Sequence, residues 1–169
     1  ERDWSSDVCS SDLSSYVLQA DLMQSDAVEA LMTQAMAVAG RIDILLCNAA
    51  TFHADRIQTL QAGQMLEQWQ VNFMAPMLCT KAFARDQRCG KIIYLLDQRI
   101  TRTDRQHVSY AISKKLLAEM VTLSAIELAP GITVNGIAPG PVWPPARKMH
   151  EAVREFAGFI PLEKRPTVA

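Results

Sequence analysis

Ile42-Asp-Ile-Leu-Leu-Cys47 is a near-continuous apolar run set between Gly40 and Asn48-Ala49-Ala50, and a strand of that composition suits a parallel sheet, where both of its faces are covered. On either side, short apolar runs alternate with longer amphipathic stretches. Tyr16-Val-Leu-Gln-Ala20 reads as a short strand. Asp26, with Glu29 three residues later, resembles a capping box opening a helix to about Val38, which Gly40 closes. A second helix is predicted over about Met65 to Arg85, a strand from Lys91 to Leu96, a third helix over about His107 to Ala129, and a last strand from Ile132 to Ile137. In the third helix Val108, Ile112, Leu116 and Met120 recur every four residues, Leu117, Val121 and Ser124 widen the stripe, and Pro130-Gly131 stops it. Strands separated by helices of this length imply crossover connections, so the expected fold is α/β, a doubly wound, Rossmann-like parallel sheet with helices on both faces. Ligands of such sheets bind beyond the carboxyl ends of the strands. Asn48-Ala49-Ala50, Asp97 and Pro139-Gly140 all fall just past strand ends, so a site would be assembled from segments far apart in sequence.

At 169 residues, 49% hydrophobic and with a net charge of -1, the chain fits one globular domain with a sizeable core. Charges of both signs are interspersed without a basic cluster, which gives no reason to expect a nucleic-acid partner. No apolar run reaches the length of a membrane span and no signal peptide opens the chain, so a soluble, cytoplasmic protein is expected. Cys9, Cys47, Cys79 and Cys89 lack Cys-x-x-Cys spacing and His53, His107 and His150 are scattered singly, so neither a metal site nor a disulfide framework is indicated. Residues 1–13 carry a near-repeat, Ser5-Ser6-Asp7 and Ser10-Ser11-Asp12, without helical or strand periodicity. They read as a non-native leader of the translated-adapter kind, which leaves 14–169 as a partial domain.

The chemistry centres on Tyr110-Ala-Ile-Ser-Lys114. Residues four apart on a helix share a face about 6 Å apart along the axis, so phenol and ammonium can point into one cleft. A free phenol titrates near about 10, and a neighbouring positive charge favours the phenolate, which brings proton donation toward neutral pH. Pro76 lies four residues after Asn72, and a proline inside a helix cannot bond the carbonyl of residue i-4. Either that freed Asn72 carbonyl holds a water beside Lys114 or the proline simply kinks the helix.

Taken in order, Asn48-Ala49-Ala50 after a strand, Asn72 in the next helix, Tyr110-x-x-x-Lys114 and Val134-Asn135-x-Ile137-x-Pro139-Gly140 resemble successive landmarks of the short-chain dehydrogenase/reductase family, over about Tyr16 to Pro141. The resemblance implies a nicotinamide-dependent oxidoreductase. It implies Tyr110 as general acid, Lys114 as the group that lowers its pKa and binds the nicotinamide ribose, and Asn72 as organiser of a proton-relay water. Asn48, Ala49, Ala50, Pro139 and Gly140 would line the cofactor. Asp21 resembles the family aspartate that meets the adenine ring, and reads equally as a helix-flanking cap.

The departure from the family pattern is Asp97, which stands thirteen residues before Tyr110 where most members place a Ser. An ionised carboxylate cannot donate to a ketone oxygen but can accept N–H groups of a nitrogen heterocycle. With Asp here and an aromatic, Phe52, soon after the Asn-Ala element, the chain is similar to pteridine-reducing members of the family, in which the pterin stacks on that ring. Phe52 is otherwise a loop anchor packed into the core, and Asp97 a loop acid paired with Arg99 or Arg102. The expected activity is NADPH-dependent reduction of a pteridine, with NADH not excluded; the alternatives are a carbonyl reductase or alcohol dehydrogenase, or a non-catalytic cofactor-binding member. The Val142-Trp143-Pro144-Pro145 segment would pass over the nicotinamide, with Trp143 either packing or touching substrate. Pro161 to Ala169 resembles the linker before the family's last helix and strand. The family's opening strand, its Thr-Gly-x-x-x-Gly-x-Gly turn, helix and second strand have no counterpart here, so weak cofactor binding is expected, as is loss of both neighbours by the strand at Tyr16. Pairing through the helices that carry Asn72 and Tyr110 would make a homodimer or homotetramer.

Overall fold

A computed structural model describes residues 15–140 with the exception of Thr103. The proposed leader, the proline-dense segment with Trp143 and the stretch from Pro161 to Ala169 lie outside the described residues. Strands β1 (Ile44–Cys47), β2 (Gly90–Leu95) and β3 (Ile132–Ile137) form one parallel sheet in the order β1-β2-β3. The register aligns Leu45 with Ile92 and Ile92 with Val134, then Cys47 with Tyr94 and Tyr94 with Gly136. Because side chains alternate along a strand, Leu45, Cys47, Ile92, Tyr94, Ile132 and Val134 share one face.

That face meets Met32 of α1 (Ser25–Ala39), Ala82 and Phe83 of α3 (Ala75–Asp86) and Leu117 of α4 (Val108–Leu128) in a single core. The three strands step across the sheet in one direction, and crossovers of a constant hand then put every connecting helix on the same side. The Rossmann-like parallel sheet is as expected, but among the described residues helices cover one face rather than two. Ile44 and Leu46, whose run calls for cover on both faces, are 54% and 56% exposed. No helix of the described residues is long and apolar enough to cross a membrane.

Tyr16 to Ala20 forms no strand, a correction to the pattern reading, and Tyr16 and Val17 lie exposed. An apolar extended segment gains little without a ladder partner, and among the described residues no strand pairs with this one. Nor do Asp26 and Glu29 form a capping box. The N-cap is Gln24, without a side-chain bond, and Glu29 instead pairs with Lys81 Nζ of α3 at 2.9 Å.

The single helix expected over Met65 to Arg85 is three pieces: α2 (Ala62–Trp69), a widened π turn over Gln70–Met74, and α3. Pro76 has no N–H to offer the Asn72 carbonyl, and just before it the Ala75 N–H reaches back five residues to the Gln70 carbonyl. Two glycines let α4 fit. At Gly136 a Cβ would run into Leu96 and Val121, and at Gly131 it would strike the Arg88 carbonyl oxygen.

Candidate active site

The carboxyl ends of the three strands supply three segments. Asn48, Ala49 and Ala50 leave β1 and are all exposed; Leu96-Asp97 leaves β2; Pro139-Gly140 leaves β3. Beyond the sheet, the Leu96 N–H still donates to the Ile137 carbonyl (2.7 Å) and the Gln98 N–H to the Pro139 carbonyl (3.4 Å), so the second and third segments stay together. The first is fastened by Asn72, which is completely buried. Its Oδ1 accepts the Thr51 N–H (2.8 Å), and its Nδ2 donates to the Thr51 carbonyl (2.9 Å) and to Ser113 Oγ of α4 (3.1 Å). Asp55, also buried, adds a second tie: both carboxylate oxygens accept the Ser109 N–H in the first turn of α4, at 3.1 and 3.3 Å. These ties set the start of α4, and with it Tyr110, against the loop after β1.

Tyr110 and Lys114 do share a face of α4, both buried. The Tyr110 hydroxyl donates to Asp97 Oδ2 at 3.1 Å, and Lys114 Nζ donates to the Leu95 carbonyl at the end of β2, at 2.7 Å. The ammonium therefore lies 5.8 Å from the centre of the phenol ring and is fixed to the sheet. This corrects the expected electrostatics. The Tyr110 pKa is pushed up from its ordinary value, first by burial, then by the charge of Asp97 and the bond to it, with Arg99 opposing. The Lys114 pKa is pushed down by burial, against the opposing charge of Asp97.

Of the two readings weighed from the sequence, the pairing of Asp97 with Arg99 is present, and Asp97 also lies at hydrogen-bond distance from Tyr110. Its Oδ1 accepts the Arg99 N–H (2.8 Å) and its Oδ2 the Arg99 guanidinium (2.9 Å). Phe52 is 48% exposed, not a core anchor. Its ring stacks on His107 with centroids 4.3 Å apart and meets the Tyr110 ring edge-on at 4.6 Å. Asp21 stands apart in the turn before α1, where its Oδ1 accepts the Met23 N–H at 2.9 Å and closes that turn rather than capping the helix.

Sequence reasoning passed over Asp104 and His107. Asp104 Oδ2 takes Arg99 Nε at 2.6 Å and pairs with His107 Nδ1 at 2.9 Å. The Asp104 pKa is pushed down: burial works to raise it, but the Gln106 N–H, Arg99 and His107 outweigh that. A His three residues before the Tyr and an Asp three before that His was the available signal. Cys47 and Cys79 are half-buried free thiols and Cys89 an exposed one, and no group of His, Cys, Asp and Glu suited to a metal exists among the described residues.

A parallel sheet with a buried Tyr and Lys on one helix face at its carboxyl edge is a Rossmann-like arrangement, and the comparisons with known proteins say which family shares it. A family model described as Enoyl-(Acyl carrier protein) reductase matches residues 6–165. The chain belongs to the short-chain dehydrogenase/reductase family. It is 28% identical over 130 residues to glucose and ribitol dehydrogenase homolog 2 of Arabidopsis thaliana, covering 74% of this chain and 45% of that protein. It is 29% identical over 127 residues to dihydromonapterin reductase of Shigella boydii, covering 72% and 53%. Among solved structures, FolM alternative dihydrofolate reductase 1 from Brucella canis complexed with NADP is similar with a TM-score of 0.78 and 32% identity, over 89% of this chain and 60% of that one. The chain thus spans about half the length of the curated relatives it matches.

Proposed function

We propose that the protein reduces a pteridine-type nitrogen heterocycle with NADPH as reductant, Tyr110 supplying the proton and Asp97 holding the heterocycle. The observation that carries this reading is the 3.1 Å bond from the Tyr110 hydroxyl to Asp97, in a position where a hydroxyl-bearing residue would serve a ketone better. The names of the Shigella and Brucella relatives and the NADP in the Brucella structure support it.

The residues present fit one half of a dinucleotide. Among the described residues, Thr51 Oγ1, next to Asn48-Ala49-Ala50, is buried without a hydrogen-bond partner, and nothing lies within 4 Å of the place a Cβ would take at Gly140. With Lys114 and Tyr110 these groups would hold the nicotinamide and its ribose; a glycine-rich pyrophosphate turn is not among them. When bound, a reduced nicotinamide supplies a hydride. The proton that completes reduction of a C=N bond is held by this chain on the Tyr110 oxygen. Asp97 accepts a ring or amino N–H, the exposed part of Phe52 receives the flat ring, and Lys114 fixes the floor through the Leu95 carbonyl. Exposed Leu66, Ile112, Leu116, Leu123 and Ile126 support pairing of two copies through α2 and α4.

The test is NADPH oxidation by the full-length gene product with dihydromonapterin and dihydrobiopterin against a panel of ketones and sugars. Turnover of the pterins, abolished by Tyr110→Phe, is expected. Turnover of ketones only, improved by Asp97→Ser, overturns the pteridine reading in favour of a carbonyl reductase, and activity indifferent to Tyr110→Phe overturns both.

A further inference from the structure

Arg99 touches every group of the site's outer wall. Its backbone N–H and its guanidinium take the two oxygens of Asp97, its Nε takes Asp104, and its guanidinium carbon lies 5.3 Å from the centre of the Phe52 ring and 6.0 Å from that of Tyr110. Asp104 carries the connection to His107, whose ring lies on Phe52. Only about a fifth of the Arg99 side chain is open to solvent.

We infer that Arg99 is a positioning residue that sets substrate selectivity: by bridging Asp97 and Asp104 it holds the Asp97 carboxylate aimed at Tyr110, so that the site answers to heterocycles bearing N–H groups and not to ketones. The inference rests on the pteridine reading and deepens it. Both oxygens of the Asp97 carboxylate accept from Arg99, one from its N–H and one from its guanidinium, and a carboxylate accepts hydrogen bonds without donating. The Tyr110 hydrogen is then spent on Asp97. A ketone offers only an acceptor, so it must compete with a carboxylate for that one hydrogen. A heterocycle with an N–H beside its C=N bond offers Asp97 a substitute donor, and the Tyr110 proton is freed to pass from the phenol oxygen to the ring nitrogen. Two ends of one planar fork are required to hold Asp97 while reaching Asp104, which a lysine ammonium, a point charge on a flexible stem, does not reproduce.

The experiment compares wild type, Arg99→Lys and Arg99→Ala of the full-length gene product on dihydromonapterin and on a ketone, with and without added guanidinium ion. The expected result is a fall in kcat/KM for the pterin of about tenfold or more in Arg99→Ala, the scale of one charge-assisted bridge. Ketone turnover falls less or rises. Added guanidinium restores part of the pterin activity, and Arg99→Lys remains impaired. Equal losses on both substrates without rescue, or no loss, overturn the inference. If the wild-type protein reduces no pterin, the pteridine reading itself fails, and the bridge is judged on the 169-residue chain by nitrogen-15 spectra. A slowly exchanging Arg99 Nε–H that becomes labile in Asp104→Asn supports the bridge, and a freely exchanging one in wild type removes it.

Discussion

Replacing Asn72 by Ala removes the side chain that joins the loop after β1 to α4. The amide makes three hydrogen bonds from a site with no solvent exposure. Ser113 Oγ keeps a partner after the change, since it also donates to the Tyr110 carbonyl at 2.8 Å. The Thr51 N–H and carbonyl lose theirs. Stranding a buried polar group costs about 1–3 kcal/mol, and Thr51 is only partly buried, so water recovers some of this; a small cavity adds to the cost. The expected net loss is about 2–4 kcal/mol, a large share of the roughly 5–15 kcal/mol that holds a domain folded. Urea unfolding followed by circular dichroism on the 169-residue chain should show the midpoint lowered by about 1–2 M at an unchanged slope. Hydrogen exchange should show the Thr51 amide losing its protection well beyond that of β2. Asn72→Asp should be no milder, because its second oxygen faces the Thr51 carbonyl where an N–H is needed. A loss below about 0.5 kcal/mol, within the range of ordinary surface substitutions, together with an intact Thr51 amide, would refute the claim that this amide is the fastening.

Two further outcomes follow from burial and charge. Cys47 is pushed up to about 12 by burial, with Cys79 adding to the effect and Lys114 opposing it, whereas Cys89 is exposed. Iodoacetamide at pH 8 should therefore alkylate Cys89 well before Cys47 or Cys79, read by peptide mass spectrometry; equal rates would contradict the packing of β1 against α3. Asp104 has a folded-state pKa below its unfolded value of about 3.9, so the folded state binds fewer protons there. Its stabilisation is present above that unfolded value and lost as pH falls through the folded one. The difference in urea midpoint between wild type and Asp104→Asn should be full at pH 6 and shrink below about pH 4; a difference constant down to pH 3 would contradict the Arg99–Asp104–His107 arrangement.

The regular elements were legible because their signals are local. β3 runs from Ile132 to Ile137 as the pattern predicts, and α4 differs by one residue at each end, because a four-residue apolar repeat and a Pro-Gly stop are written in consecutive residues. What was not legible depends on partners. Tyr16 to Ala20 has strand composition, yet a strand exists only in its ladder. Asp26 and Glu29 have capping-box spacing, yet Lys81, distant in sequence, took the glutamate. The break at Gln70–Met74 was half legible: Pro76 announced a disturbance at Asn72 but not a widened turn. In the site, Tyr110, Lys114, Asp97 and Phe52 come together as expected, whereas His107 looked solitary because its stacking ring Phe52 is brought to it only by the fold, although its partner Asp104 stood three residues away.

The Tyr-Lys spacing shows why position and electrostatics must be argued separately. Helical geometry guarantees that residues 110 and 114 share a face, and they do. It does not say where the ammonium goes. A lysine stem spans several ångströms, and at the end of β2 the Leu95 carbonyl, last in its strand, is an acceptor within reach. Asp97 meanwhile stands at hydrogen-bond distance from the phenol. The charge at hydrogen-bond distance from the Tyr110 oxygen is therefore negative, and Arg99 faces the same carboxylate. The acidity of Tyr110 is thus controlled less by the lysine of its own motif than by what occupies Asp97. A substrate that donates to Asp97 removes the strongest local reason, after burial, for the phenol to keep its proton. On the pteridine reading proposed above, recognition and proton release would become one event at one carboxylate, which would be the physical advantage of an aspartate over a serine at this position.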